Sequence, residues 1–543
     1  MSREGKTIAV LDASKLRQLP AGWSWVRVAD VGEVKLGRQR SPEHHQGSHM
    51  RQYLRVANVY ENRIDVSDVL TMNFTPKEFE TYRLQYGDIL LNEGQSLRWV
   101  GRPAMYRDEL PGACFQNTLV RFRTSNAVLP NYALMVFLHY LHCQRFQQIA
   151  KWTVNIAHLG ATRFAEIEFP LPPLNEQRRI ADTIDELFSD LDAGVAALER
   201  VRTKLRHYRA AVLKAAVEGA LTAEWRKQHP ATEPASALLT RILAERRRRW
   251  EQDQLRKFAA ADKVPPQNWK AKYTEPAAVD AAKLPPLADK WCWATAASTC
   301  DFITKGTTPS GSDAPKPQGE IPFIKVQHLS GTGTFHFSDS PSFVSRTVND
   351  RFLARSRVFP GDVLMNLVGP PLGQISVVPG SFEEWNVNQA IAIFRAVPGL
   401  SNRFLAICLL SRVVVVRALS RAKATVGQVN LTLEMCRQLP LPLPPLAEQE
   451  AIVEAVEDQL SVIEHIEADV AAKLKSAQAL RQSILRHAFT GQLVPQDPHD
   501  EPASELLKRI ATDRDQRTRQ AQAAKSLKSA TAVKRGRRKK GTP

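Results

Sequence analysis

LPPLNEQRRI runs from Leu171 to Ile180, and LPPLAEQEAI runs from Leu443 to Ile452. The two stretches share seven of ten residues at a separation of 272 positions. Each stands directly before a long run with helical periodicity. Proline lacks the backbone N–H and clashes with the preceding turn, so a helix must begin at or just after the Pro-Pro pair. Glu176 and Glu448 then fall in the first turn, where a carboxylate faces the partial positive charge of the helix N-terminus. Beyond them, apolar residues recur every three or four positions. The first stripe is Ile180, Ile184, Leu187, Leu191, Val195, Leu198, Val201, Leu205, Tyr208 and Val212. The second is Ile452, Val456, Leu460, Ile463, Ile466, Val470, Leu474, Ala477, Leu480 and Ile484. A mean step of about 3.6 predicts a helix with one apolar seam. Gly219 and Gly491 are natural stops. Each helix is expected to run about 40 residues, or ~60 Å, and a seam that long requires a partner. Equal lengths and a shared start make each helix the expected partner of the other. The domain between them lets the pair run antiparallel.

The repeat extends outward from this motif. Residues 171–221 align without gaps to 443–493 with 14 identities in 51 positions, and EPASALLTRI from Glu233 answers EPASELLKRI from Glu501. Upstream, GWSWVRVADV (Trp23, Trp25) answers KWCWATAAST (Trp291, Trp293). LRVANV from Leu54 answers IKVQHL from Ile324, YGDILLN (Gly87, Asp88) answers PGDVLMN (Gly361, Asp362), and FQNTLVRFR from Phe115 answers VNQAIAIFR from Val387. Short apolar runs broken by Gly, Pro and Asn read as strands with some helix. The expected class is α+β, with two mixed α/β domains joined by two long antiparallel helices in an internal pseudo-two-fold repeat. The domains take residues 1–170 and 266–442, and helical regions take 171–265 and 443–512. The four Trp residues alternate like strand residues and are expected in the core. Gly87-Asp88 and Gly361-Asp362 read as turns at strand starts.

The chain has 543 residues, 43% apolar and 24% charged, with a formal charge of +18. Half of that excess lies in residues 513–543, where 11 Lys/Arg face 2 Asp; this basic tail is expected to be disordered. The remainder is a mild bias compatible with a polyanionic partner. No apolar run is long enough to span a membrane, and the N-terminus does not read as a secretory signal, so a cytoplasmic location is expected. The six cysteines form no CxxC pair and read as reduced, mostly core thiols. There is no GxxxxGK[ST] phosphate loop, no dinucleotide fingerprint, and no amino-methyltransferase base-pocket motif. VGPPLGQI from Val368 reads as a strand-to-strand turn, and HHQGSH from His44 as a polar loop. No serine–histidine–aspartate assignment is possible. A chain with two copies of everything and no catalytic motif points to a binding device.

At this point the residues resemble a family. FPLPPLNEQ from Phe169, LPLPLPPLAEQ from Leu439, the preceding TVNIAHL (from Thr153) and TVGQVNL (from Thr425), and the shared helix ends resemble the specificity subunit of type I restriction–modification systems. The resemblance covers roughly residues 15–512; the first domain departs most, and the tail lies outside it. It implies two target recognition domains, each reading one half of a split, asymmetric double-stranded DNA site. It implies that the helices form a coiled-coil spacer setting the distance between half-sites. It also implies two methyltransferase subunits and two restriction–translocase subunits as partners, adenine methylation, and a role in phage defence. The chain itself is then not an enzyme. S-adenosylmethionine, ATP and Mg are expected on the partners, with no cofactor or metal in this chain.

Base reading favours Arg, Lys, Asn and Gln, and phosphate contacts favour positive charge. The candidates in the first domain are Lys35, Arg38, Arg40, His44, Gln95, Arg98, Arg102, Lys151 and Asn155. In the second they are Lys305, Lys316, Lys325, Gln327, His328, Lys423, Gln428 and Asn430. RILAERRRRWEQDQLRK, from Arg241, reads either as a solvated helix or as a phosphate or partner contact. Two other classes stay open: a two-domain coiled-coil scaffold without a DNA role, and a methyltransferase fused to its own reader, which the missing motifs disfavour.

Overall fold

The computed structural model describes residues 16–153, 155–369, 371–414, 423–425 and 428–512. The tail 513–543 and the side chains of Lys423 and Gln428 lie outside the described residues. The chain divides into two compact units, one built from residues 1–198 and 472–543, the other from 199–471. Each unit therefore takes one domain and one half of each long helix.

The repeat seen in sequence is a repeat of topology. In the first unit, strands Gly32–Leu36, Leu119–Thr124, Ile89–Asn92 and Pro103–Met105 form an antiparallel sheet in that spatial order. In the second, Cys300–Lys305, Ile391–Ala396, Val363–Asn366 and Ile375–Val377 do the same. VGPPLGQI is thus a connection between antiparallel neighbours. A buried helix, Pro130–His142 or Asn402–Leu410, follows the sheet in each unit.

The Trp strands explain how the domains close. Ser24–Arg27 pairs antiparallel with Glu168–Leu171, and Cys292–Thr295 with Pro440–Leu443. The start of each domain is therefore zipped to the residues that introduce its LPPL stretch. Only Trp23 and Trp291 are buried; Trp25 and Trp293 are half-exposed. The core expectation fails for these two because Trp23 and Trp291 precede the strands, and within the strands Val26 and Ala294 face inward, which turns Trp25 and Trp293 outward. Their indole N–H groups instead donate to the carbonyls of Arg17 (2.9 Å) and Pro285 (3.2 Å).

The long helices run Leu174–Val217 and Leu446–Phe489, 44 residues each. Gly219 and Gly491 follow with φ of +76° and +71°, the left-handed conformation that ends a helix and that a Cβ would strain. In the first unit, Ile180 and Ile184 share a core with Ile484, Leu485, Ala488 and Phe489. In the second, Leu205, Val212 and Val217 share a core with Ile452, Val456 and Ile463. The start of one helix thus packs with the end of the other, and the helices are antiparallel within each unit. The predicted seam is only partly buried: Val201, Tyr208, Ile466 and Leu480 are exposed. A two-helix pair covers a narrow stripe and has no third layer to bury its edges. Ion pairs occupy part of the contact. Arg209 meets Glu467 at 3.0 Å and Glu464 at 3.7 Å, and Arg481 meets Asp192.

The repeated Glu-Gln pair is a buried clamp. Gln177 donates to the carbonyls of Ala127 (2.9 Å) and Pro172 (3.1 Å) and accepts from the Leu129 N–H (2.9 Å). Gln449 makes the same set with Gly399 (3.1 Å), Pro444 (3.2 Å) and the Ser401 N–H (2.8 Å). One amide thus ties the helix start to the loop before the domain's buried helix. Gln177→Ala or Gln449→Ala strands three buried backbone groups and is expected to cost about 2 kcal/mol. Urea unfolding of the purified variants checks this, and an unchanged midpoint would refute the clamp.

The EPAS segments dock crosswise. Ala235 N–H donates to Lys290 O, and Ala503 N–H to Gly22 O, both at 2.8 Å. The segment that ends repeat one therefore caps the Trp motif of domain two, and the reverse holds. The helix Ala235–Ala260 carries RILAERRRRWEQDQLRK. Its arginines are largely spent on neighbours: Arg248 and Arg249 on Glu245, Arg247 on Glu251, and Arg249 also on Asp301. Trp250 stacks on Trp269 at 5.9 Å, tying the helix to the segment after it.

Candidate nucleic-acid interface

The structure sorts the candidate residues by what their side chains touch. Arg38 is buried over Phe74, donating to Glu78 at 2.9 Å and to the Asn73 carbonyl. His328 is fully buried; its Nδ1 accepts from the Lys325 N–H at 3.0 Å, its Nε2 lies 3.0 Å from Ser340 O, and burial lowers its pKa. Arg102 donates to Val59 O at 2.6 Å and lies over Tyr60 and Trp99. All three are held by partners within their own domain. Lys325 and Trp99 are near in sequence, but Ser340, Glu78 and Val59 lie 12, 40 and 43 residues away, so adjacency could not reveal them.

Others stay at the surface. Arg40 is exposed against His45, His44 is half-exposed beside Glu43, and Lys35 is half-buried on the edge strand Gly32–Leu36. In the second unit, Lys305 and Lys316 are exposed, Lys325 is half-buried, and Gln327 donates to Ser340 Oγ at 2.6 Å. No group of three or more His, Cys, Asp or Glu side chains that could hold a metal ion occurs among the described residues.

One group is brought together by the chain fold. Lys151–Thr153 pairs antiparallel with Ile156–His158, and that strand pairs with Gly94–Gln95. Gln95, Lys151 and Asn155 thus share one small three-stranded projection, with exposed Arg98 lying over Trp99 three residues beyond Gln95. Trp152 is 54% exposed and Ile156 46%, two large apolar side chains outside any core. In the second unit, Lys423–Thr425 pairs with Gln428–Asn430, and Asn430 bridges to Val368. The hairpins are the TVNIAHL and TVGQVNL segments.

Two features escaped residue-type reasoning. Trp152 and Ile156 were passed over because only polar residues were sought. Asn92, just before Gly94, is fully buried with no partner for either amide atom. Its counterpart Asn366 donates to Pro371 O (2.8 Å) and accepts from the Gln374 N–H (2.7 Å), pinning the glycine-proline loop.

The family model described as Type I restriction modification DNA specificity domain matches the chain twice, over residues 20–199 and 298–476. The chain belongs to this family. Each specificity-domain match takes in the four-stranded sheet, the hairpin and the LPPL stretch, and ends inside a long helix. Among similar proteins, the type I restriction enzyme EcoBI specificity subunit of Escherichia coli is 27% identical over 376 residues, covering 67% of this chain and 68% of that protein. The EcoDI specificity subunit of the same species is 24% identical over 375 residues, covering 66% and 72%. A chain from a solved structure concerning assembly and conformational transition of the type I R-M system matches with a TM-score of 0.57 at 16% identity, over 88% of this chain and 100% of that one. That likeness concerns the fold alone.

Proposed function

We propose that this chain is the DNA-recognition subunit of a type I restriction–modification complex, itself without catalytic activity. Each unit reads one half of a bipartite site in double-stranded DNA. The two domains share a frame but differ in sequence, so the halves differ and the site is asymmetric. The observation that carries this reading is the pair of hairpins in equivalent places, each with lysine and amide residues in its sequence. Surface lysines supply sequence-independent phosphate contact, and amides supply base reading.

The partners are two methyltransferase subunits and two restriction–translocase subunits, bound in the cytoplasm. S-adenosylmethionine, ATP and Mg belong to those partners. The long helices, with their exposed Val201, Tyr208 and Ile466, offer apolar surface for docking. The biological outcome is adenine methylation of the host site and cleavage of unmethylated phage DNA. Mapping N6-methyladenine in a host with and without this gene tests the reading. A bipartite motif methylated only when the gene is present is the expected result; identical maps would overturn it.

A further inference from the structure

The two hairpins have the same register. In the first, Lys151 faces His158, Trp152 faces Ala157 and Thr153 faces Ile156. In the second, Lys423 faces Asn430, Ala424 faces Val429 and Thr425 faces Gln428. Both lie beside the loop that leaves the same sheet strand, through His158–Gly94 and Asn430–Val368. The chain keeps some of these positions and changes others. Lysine and threonine recur at 151/423 and 153/425, and leucine follows each hairpin at 159 and 431. Leu159 and Leu431 are buried, as is Ala157. The differences are Trp152 against Ala424, Ile156 against Gln428, and His158 against Asn430. His158 is held by Glu93 at 3.1 Å, which leaves Trp152 and Ile156, on opposite faces of the ribbon, as the exposed divergent residues of the first hairpin.

Neither side chain belongs to a hydrophobic core of the unit. Each leaves apolar area in water that burial against a ligand would recover at about 25 cal/mol per Å². A two-stranded ribbon fits the major groove, where the one apolar feature of a base pair is the thymine methyl. Glutamine in the same place is suited to adenine, through its N6 and N7 edge. The conserved lysines provide a phosphate contact that needs no sequence.

Resting on the DNA-reading function proposed above, we infer that position 156, and its equivalent 428, is a specificity-determining position. Ile156, on the ribbon face opposite buried Ala157, contacts a thymine methyl in the first half-site.

The test uses the complete complex, co-expressed with its methyltransferase subunits in a host without other adenine methylation. Ile156→Gln is expected to change the preferred base at one position of one half-site, on the order of tenfold in preference, leaving the other half unchanged. Gln428→Ile is expected to alter the opposite half. Maps identical to wild type, or both substitutions altering the same half, overturn the assignment. If methylation by Ile156→Gln is lost, selection of the complex on duplexes randomised in one half decides. A new base at one position supports the assignment; the original sequence, or no binding at all, overturns it. A wild-type complex that deposits no bipartite mark fails the DNA-reading function itself, a separate result.

Discussion

Glu448→Gln is expected to destabilise the second unit by about 3 kcal/mol, while Glu176→Gln changes the first by under about 1 kcal/mol. The two glutamates hold the same place in the repeated motif, but their surroundings differ. Glu448 is fully buried and accepts from Trp291 Nε1 (2.9 Å), Thr222 Oγ1 (2.6 Å) and the Arg226 guanidinium. Arg226 also donates to Gly219 O at 2.6 Å, just past the first long helix. Removing the carboxylate charge leaves a mostly buried guanidinium without its counter-ion, and the new NH₂ faces donors. Glu176 is equally buried, but only Trp23 Nε1 reaches it, at 3.0 Å, and its Oε1 has no partner. At the offset of 272, the residues in place of Thr222 and Arg226 are Val494 and Pro498, which carry no side-chain donor. Glutamine keeps an acceptor for Trp23 and removes a charge that burial disfavours.

The same contrast has a pH signature. Burial raises the Glu176 pKa above its ordinary 4.5. A carboxyl whose folded pKa is raised binds its proton more tightly in the folded state. Its contribution to stability is complete below pH 4.5 and declines as pH rises through the raised folded value. The wild type should therefore lose stability relative to Glu176→Gln on going from acid toward neutral pH. Hydrogen exchange, resolved by unit, separates the effects. Equal losses of protection in the two variants would sink the asymmetry.

Much of the architecture was legible because it is periodic or punctuated. The Pro-Pro pair fixes where the long helices begin, the glycines where they end, and the constant offset which halves correspond. Side-chain partners were legible only where they lie close in sequence. Gly87-Asp88 was readable as a turn, but nothing near it announces that Asp88 is buried against Arg123, 35 residues on. Arg38 and His328 looked like surface readers because Glu78, Asn73 and Ser340 are remote. The crosswise docking of the EPAS helices was equally hidden, since each caps the domain of the other repeat. The hairpins were visible as motifs, but exposure of Trp152 depends on which ladder face meets the core, and that is decided by the sheet.

Asp88→Ala and Asp362→Ala are each expected to cost about 3 to 5 kcal/mol, confined to the unit that carries the change. Both carboxylates are buried at a turn where glycine takes a left-handed conformation, φ +89° at Gly87 and +88° at Gly361. Asp88 receives Arg123 Nε (2.6 Å) and a terminal guanidinium N–H (2.7 Å), and the Gln85 N–H (2.8 Å). Asp362 receives Arg395 through 2.8 and 2.7 Å contacts and the Phe359 N–H at 2.8 Å. The two-point arginine grip is the strong, directional form of ion pair. It ties the start of one sheet strand to its neighbour, Ile89 to Phe122 and Val363 to Phe394. Alanine leaves the arginine uncompensated and a turn N–H unpaired. Asp88→Ala with Arg123→Ala should then cost less than the sum of the single changes, by more than about 1 kcal/mol. Asp88→Ala with Asp362→Ala should be additive to within about 0.5 kcal/mol. Urea unfolding of the three single and two double variants supplies both cycles. Additive behaviour of the Asp88–Arg123 pair would show that the carboxylate shapes the turn and does not grip the strand.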